Sequence, residues 1–258
     1  MKNVLFTTDG AVCAITINRP ECRNAVDGPT AAALRAAFER FESDPALRVA
    51  VLSGAGGNFC AGADLGAVGD PDLRNELDPA GGGSGPMGPT RMQLSKPLIA
   101  AVDGYAVAGG LELALLADLR VADEDAVFGV FCRRWGVPLI DGGTVRLPRI
   151  VGMGRALDMI LTGRPVGAAE AHGMGLVNYV APPGKALDQA CALAHTIAGF
   201  PQGCMLADRR SAHDQWDLPL PEALRREGAQ GTPLVFEEGV AGARRFVEGA
   251  GRHGSPGA

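Results

Sequence analysis

The chain has 258 residues, 47% hydrophobic and 21% charged, and a net charge of −5 at neutral pH. That length and apolar content suffice for one large packed domain or two smaller ones. An acidic chain with no basic run lacks the footprint that a nucleic-acid or anionic-membrane partner needs. Six cysteines lie scattered without a Cys-x-x-Cys spacing; they read as reduced thiols packed as small hydrophobes, which points to the cytosol. Residues 1–20 hold one Lys and then alternating strand-like segments, not the sustained apolar core of a signal peptide, and nothing approaches a membrane span.

In chain order, residues 4–6 and 11–17 are expected as two strands joined by a turn at Asp9-Gly10 and ended by Asn18-Arg19-Pro20. A helix follows from about Pro29, with Leu34, Ala37, Phe38 and Phe41 on one buried face, and Asp44-Pro45 stops it. Residues 48–53 form a β-branched run suited to a buried strand, followed by the glycine-rich, irregular GAGGNFCAGADL. Residues 69–89 carry too many Gly and Pro for regular structure; we expect a mobile loop, with a pocket lid and a plain insertion as its two readings. After the organising stretch described next come a short strand at 126–129, a helix from about Thr144 and its continuation over 153–162. A short helix at 168–172 and a strand at 176–180 follow. Beyond Pro183 the chain reads as helical: a stripe of Ala190, Leu193, Ala194 and Ile197, then helices over 202–214, 221–229 and 234–248, and a frayed GAGRHGSPGA end.

The organising stretch is residues 98–122, LIAAVDGYAVAGGLELALLADLRVA, which reads as buried strand, glycine turn, helix, strand. Gly109-Gly110 stands at the mouth of the helix, where the first amides have no intrahelical partner and sit at the positive end of the dipole. Such amides bind an anion or a developing oxyanion. Glu112 falls in the same first turn, its carboxylate leaning back towards whatever those amides hold. An oxyanion site beside a carboxylate suggests acid–base chemistry on a carbonyl compound; close packing of the glycines and a dipole-stabilised Glu are the alternative. Asp118, at the end of this helix, reads as structural. Asp141, before Gly142-Gly143, lies at a second helix mouth.

Five segments in order, INRPECRNAV, FCAGADL, KPLIAAVDGYAVAGGLELALLADLRVA, the region from Phe128 through Gly163 to Val180, and EEGVAGARRFVEG, resemble the signatures of the crotonase superfamily of enoyl-CoA hydratases and isomerases. The resemblance covers roughly residues 10–250. It implies an α/β fold, a crotonase-like spiral of ββα units over residues 1–195 carrying the acyl-CoA site. A C-terminal helical trimerisation region over 196–258 would follow, in a homotrimer or dimer of trimers. It further implies an acyl-CoA substrate, with coenzyme A entering as part of the thioester and no separate cofactor. By matching motifs the amides of Ala63 and Gly109 would hold the thioester oxygen as it gains charge. Glu112 would be the acid–base residue. Arg23, Ala61, Asp64, Leu65, Lys96, Gly110 and Cys132 would surround the substrate; Arg23 and Lys96 are candidates for the coenzyme's phosphates, with solvated surface charge as their alternative.

The pattern breaks at one place. Hydratases of the family carry a second glutamate after the Phe-Gly strand, where this chain has Cys132, and a cysteine is no substitute as a hydration base. As a nucleophile Cys132 would need a depressed pKa, towards which Arg133 and Arg134 would help. Asp141 is the candidate replacement carboxylate. Some relatives, dienoyl-CoA isomerases and a dehalogenase among them, carry a catalytic aspartate on this turn, although ungapped alignment sets Asp141 one residue beyond it. Helix capping is its alternative role. The leading expectation is hydration of 2-enoyl-CoA thioesters through an enolate-like intermediate. Isomerisation, hydrolysis or decarboxylation on the same scaffold is the runner-up, and acyl-CoA binding without turnover the third reading. The fold is shared with Clp-type serine proteases, but no serine stands in Gly-x-Ser-x-Gly or Gly-x-Ser-x-Ala, which discards that class. No metal-ligand constellation and no redox-cofactor signature is present in the sequence.

Overall fold

Strands β3 (Val49–Gly54) and β4 (Leu98–Val102) are buried, with unbroken apolar runs over 49–52 and 98–102, because both faces of the sheet they centre are covered. Alternate residues divide between two cores. Ala50, Leu52, Leu98, Ala100 and Val102 face the main core, while Val49, Val51, Ile99 and Ala101 face helix α6 (Ala186–Ala198). That helix lays Ala186, Ala190, Ala194 and Ala198 against them, a stripe of small residues that lets it approach the sheet closely. The computed structural model that shows this describes residues 2–250.

The sheet is completed by β1 (Val4–Asp9), β2 (Val12–Ile17), β6 (Leu119–Asp123) and β9 (Tyr179–Ala181), in the order β1-β2-β3-β4-β6-β9. Among the described residues the β1–β2 pair alone is antiparallel within this sheet, Val4 opposite Ile17. A second sheet holds three short strands, β5 (Tyr105–Val107), β7 (Val127–Gly129) and β8 (Val166–Gly167), in that order. The chain thus spirals: a strand in the large sheet, a strand in the small sheet, then a helix. In this way β4 and β5 lead to α2 (Gly109–Leu116), and β6 and β7 to α3 (Gly143–Val151) and α4 (Met153–Thr162). Helix α5 (Ala168–Gly173) precedes β9. Helix α1 (Gly28–Ser43) crosses between the parallel strands β2 and β3; Asp27 caps it by accepting the Thr30 amide (2.8 Å), and its buried face is Ala31, Leu34, Ala37, Phe38 and Phe41.

Several expected elements shift. The short strands β5 and β8 carry no periodic signal at three and two residues, and the Asp103-Gly104 break proves to be the step from one sheet to the other. Pairing confines the expected 176–180 strand to Tyr179–Ala181, because Leu176 and Val177 donate instead to the Ala171 carbonyl at the end of α5. Gly152, at φ 82°, separates α3 from α4. Residues 69–89 form turns without helix or strand, yet Asn75, Met87 and nearby Thr90 are buried.

The chain divides into two compact units between Ala198 and Gly199. The described residues of the second hold helices α7 (Gln202–Asp214), α8 (Leu220–Leu234) and α9 (Val240–Val247). Within it, Glu238 accepts the Gly203 and Cys204 amides (3.0 and 2.9 Å) at the start of α7. A π-turn over Val235–Gly239 follows Pro233, so the last two helices differ in extent from those expected. Of the expected frayed end, residues 251–258 lie outside the described residues. No helix is long and apolar enough to cross a membrane among the described residues.

Asp103 and Asp123 meet at the end of β4. Asp123 is occupied by the Gly184, Lys185 and Ala186 amides at the start of α6, whereas Asp103 Oδ1 is buried without a hydrogen-bond partner among the described residues. Burial, together with Asp123, pushes Asp103 up to about 7. A carboxyl whose pKa is raised by folding adds stability that is full below the unfolded pKa and is lost as pH rises through the folded one. Asp103→Asn is therefore expected to raise the melting temperature at about pH 8 by about 2–4 °C, with a smaller gain at about pH 5, read by calorimetry.

Candidate active site

Two chain segments meet over Glu112. The first, around residues 59–65, is held by residues of the Asn-Arg-Pro turn. The Arg19 guanidinium pairs with Asp27 (3.1 Å) and Asp64 (3.0 Å) and donates to the Ala25 carbonyl (2.6 Å). Asn24, fully buried and at φ 57°, donates from Nδ2 to the Ala55 and Asn58 carbonyls and accepts the Arg19 amide. Val26 then bridges Ala63 in parallel: its amide donates to Gly62 (2.8 Å) and its carbonyl accepts Asp64 (2.9 Å). That pattern turns the Ala63 amide to the opposite side. The second segment is the mouth of α2, where Ala108 adopts φ 52° and ψ −125°, a strained conformation outside the helix. A Cβ on Gly62 would lie 2.9 Å from the Ala108 Cβ and 3.1 Å from the Gly109 nitrogen, so the segments touch because Gly62 has no side chain. Ala63 and Gly109 both line one cavity of about 590 Å³, and neither amide has an acceptor among the described residues.

Glu112 lines the same cavity and is 2% exposed. Its Oε1 accepts the Asp141 amide (2.9 Å) and the Gly143 amide (2.8 Å), so the second glycine turn fixes the carboxyl from below. Burial pushes Glu112 up to about 7 and the Asp141 charge adds to this, against the pull of the two amides and Arg146. Gly143 leaves the room required: a Cβ there would stand 2.9 Å from Glu112 Cγ and Oε1.

Asp141 does not cap α3. The capping position is Gly142, with no side-chain bond to the helix. Instead Asp141 Oδ1 accepts the Met87 amide (2.9 Å) and the Thr90 hydroxyl. Arg146 closes the knot by donating to the Asp141 carbonyl (3.1 Å) and the Thr90 carbonyl (2.7 Å). Since Met87 lies against Gly109, where a Cβ would meet its Sδ at 2.7 Å, this knot joins the turn that holds Glu112 to the mouth of α2. Asp141, 3% exposed, lines the cavity wall with its carboxyl engaged in this way. Cys132 sits in the turn Phe131–Trp135 on the same wall; burial, then the nearby Glu112 charge, raises its thiol, the reverse of what a nucleophile needs.

Of the other expected substrate contacts, Arg23, Ala61 and Leu65 line the cavity. Lys96, Asp64 and Gly110 do not. Lys96 is corrected to a structural cation: its ammonium donates to the Phe41 and Asp44 carbonyls (2.8 and 2.7 Å), capping the negative end of α1, and lies 5.0 Å from the centre of the Phe41 ring. Asp64 is taken by Arg19, and Gly110 packs its backbone on the Cys60 carbonyl. Asp118 accepts the Leu98 amide (2.9 Å), as a structural residue would. Residues that sequence reading missed include Met87, Leu77, Tyr105, Trp135 and Ile140 on the wall, with Asn24, Thr90 and Arg146 behind it. Most stand in irregular turns where no period marks them; positive φ at Asn24 and the buried Thr90 had no sequence signal of their own. Among the described residues no group of three or more His, Cys, Asp or Glu side chains could hold a metal ion.

A large sheet and a small sheet threaded by ββα units, with helices at the C-terminus, define the crotonase fold. The family model for enoyl-CoA hydratase/isomerase matches residues 7–248. Enoyl-CoA hydratase EchA19 of Mycobacterium tuberculosis is 37% identical over 254 residues, covering 95% of this chain and 94% of its own. Carnitinyl-CoA dehydratase of Escherichia coli is 36% identical over 254 residues, 96% of each chain. The crystal structure of enoyl-CoA hydratase EchA1 from Mycobacterium marinum superposes with a TM-score of 0.89 at 36% identity, over 96% of both chains. The chain therefore belongs to the enoyl-CoA hydratase/isomerase, or crotonase, family of acyl-CoA enzymes.

Proposed function

We propose that the protein adds water across the α,β double bond of a 2-enoyl-CoA thioester, and runs the reverse dehydration, with Glu112 as its single acid–base group. The observation that carries this reading is the buried Glu112 carboxyl with a pKa of about 7, in one cavity with the two unpartnered amides of Ala63 and Gly109. Ionised Glu112 takes a proton from water, and hydroxide adds at the β-carbon. The π-electrons shift to the thioester oxygen, where the two fixed amides stabilise the enolate without reorganising. The protonated Glu112 then gives its proton to the α-carbon, which restores the carboxylate and the thioester. Asp141 acts as a positioning residue, its backbone on Glu112 and its carboxyl on Met87 and Thr90.

Cys132 in place of a second glutamate favours one further reading, migration of the double bond, in which a single carboxyl carries a proton between α- and γ-carbons. Incubation with trans-2-enoyl-CoA thioesters and analysis of the products tests both: 3-hydroxyacyl-CoA supports hydration, and a shifted double bond with no hydroxylated product overturns it. The exposed apolar residues of the C-terminal helices, Leu224, Phe236 and Val247 among them, support a homotrimer or dimer of trimers, to be read by sedimentation equilibrium. Six free thiols suit the reducing cytosol.

A further inference from the structure

The cavity joins an apolar interior to an apolar rim. Met87 and Val107 are buried inside it, while Leu65, Val68, Leu77 and Trp135 line the same cavity at 49, 50, 58 and 70% exposure. Large apolar side chains gathered at one opening mark a surface that an apolar ligand covers. The polar groups of the opening select by charge. Three aromatic rings line the cavity, Tyr105, Phe131 and Trp135, and two of them already carry a guanidinium: Arg23 lies 5.3 Å from the Tyr105 ring centre and Arg134 4.1 Å from that of Phe131. Rings so occupied cannot form a cage for a quaternary ammonium group, and the arginines repel it. The two lining carboxyls lie away from that rim: Glu112 and Asp141 are 2% and 3% exposed, with one oxygen of each held by amides or by Thr90.

From this juxtaposition we infer that the acyl group is uncharged and apolar and long enough to run from the mouth of α2 to the rim, with Leu77 and Trp135 as residues that set chain-length preference. The inference rests on the thioester site proposed above and names its substrate class. The phosphates of coenzyme A, rather than the acyl group, supply the anions that suit Arg23, Arg74 and Arg134 at the opening.

Calorimetric titration of saturated acyl-CoA thioesters tests it without any requirement for turnover. Full burial of a methylene is worth about 0.8 kcal/mol, about fourfold in affinity. On a half-exposed rim the expected gain is about twofold per methylene, so Kd tightens at least about tenfold from butanoyl- to octanoyl-CoA and again to dodecanoyl-CoA. Trp135→Ser and Leu77→Ser each remove most of the second step. Leu161→Ser, equally exposed but outside the cavity, keeps it. Equal affinity for butanoyl- and dodecanoyl-CoA overturns the inference, as does tighter binding of a succinyl or trimethylammonium-bearing thioester than of a neutral one of the same length. Graded affinity without hydration leaves the acyl assignment standing and sinks the hydratase reading; hydration with flat affinity does the opposite. Failure to bind any of these thioesters overturns both.

Discussion

Glu112→Gln is expected to lower kcat about a thousandfold while leaving the Kd for an acyl-CoA thioester within about twofold, measured by single-turnover assay and titration. The substitution isolates the proton. A glutamine keeps the oxygen that accepts the Asp141 and Gly143 amides, so the second glycine turn stays in register, but it neither takes a proton from water nor gives one to carbon. The pH profile provides the second readout. Activating water needs the ionised carboxyl, and burial holds Glu112 at about 7, so kcat/KM rises with pH through about 7 and falls about tenfold per unit below it. That limb disappears in the glutamine variant. A profile flat from pH 5 to 8 in the native enzyme removes Glu112 from the acid–base role.

Gly110→Ala is expected to cost about a hundredfold in kcat, the scale of losing one oxyanion donor. The added Cβ overlaps the Cys60 carbonyl, and that backbone cannot yield: Cys60 donates to the Tyr105 carbonyl (2.8 Å) and accepts the Val107 amide (3.1 Å). The start of α2 must move instead, and the Gly109 amide moves with it. Overpacking also costs about 1–3 kcal/mol of stability, so kinetics are measured well below the melting transition. Gly154→Ala is the control. It sits in α4 with open space around its Cβ position, and is expected to keep full activity with a small gain in stability. Wild-type kcat in folded Gly110→Ala would separate the Gly109 amide from catalysis.

The buried strands β3 and β4 and the helix mouth at Gly109-Gly110 could be read directly, because burial on two faces leaves an unbroken apolar run and a glycine pair before an apolar helix is a local mark in the sequence. Glu112 followed from position alone. Ala63 did not: its amide is turned outward by Val26, thirty-seven residues earlier, and only resemblance drew attention to it. Asp141 shows the limit most clearly. Its carboxyl direction is decided by Met87 and Thr90, more than fifty positions away in a loop with no period. Lys96 shows the same limit, since the carbonyls that hold its ammonium belong to the end of α1, more than fifty positions earlier, and meet it only once that helix has docked.

The knot that binds Asp141 to Met87 and Thr90 has a stereochemical consequence for the proposed hydration. One oxygen of that carboxyl is engaged and a thiol stands at position 132, so in the proposed reaction Glu112 alone carries the proton for both halves, and a single group would reach the substrate from one side. Hydroxyl and hydrogen are then delivered to the same face of the double bond. In heavy water a single diastereomer of the deuterated 3-hydroxyacyl thioester forms, the one produced by syn addition.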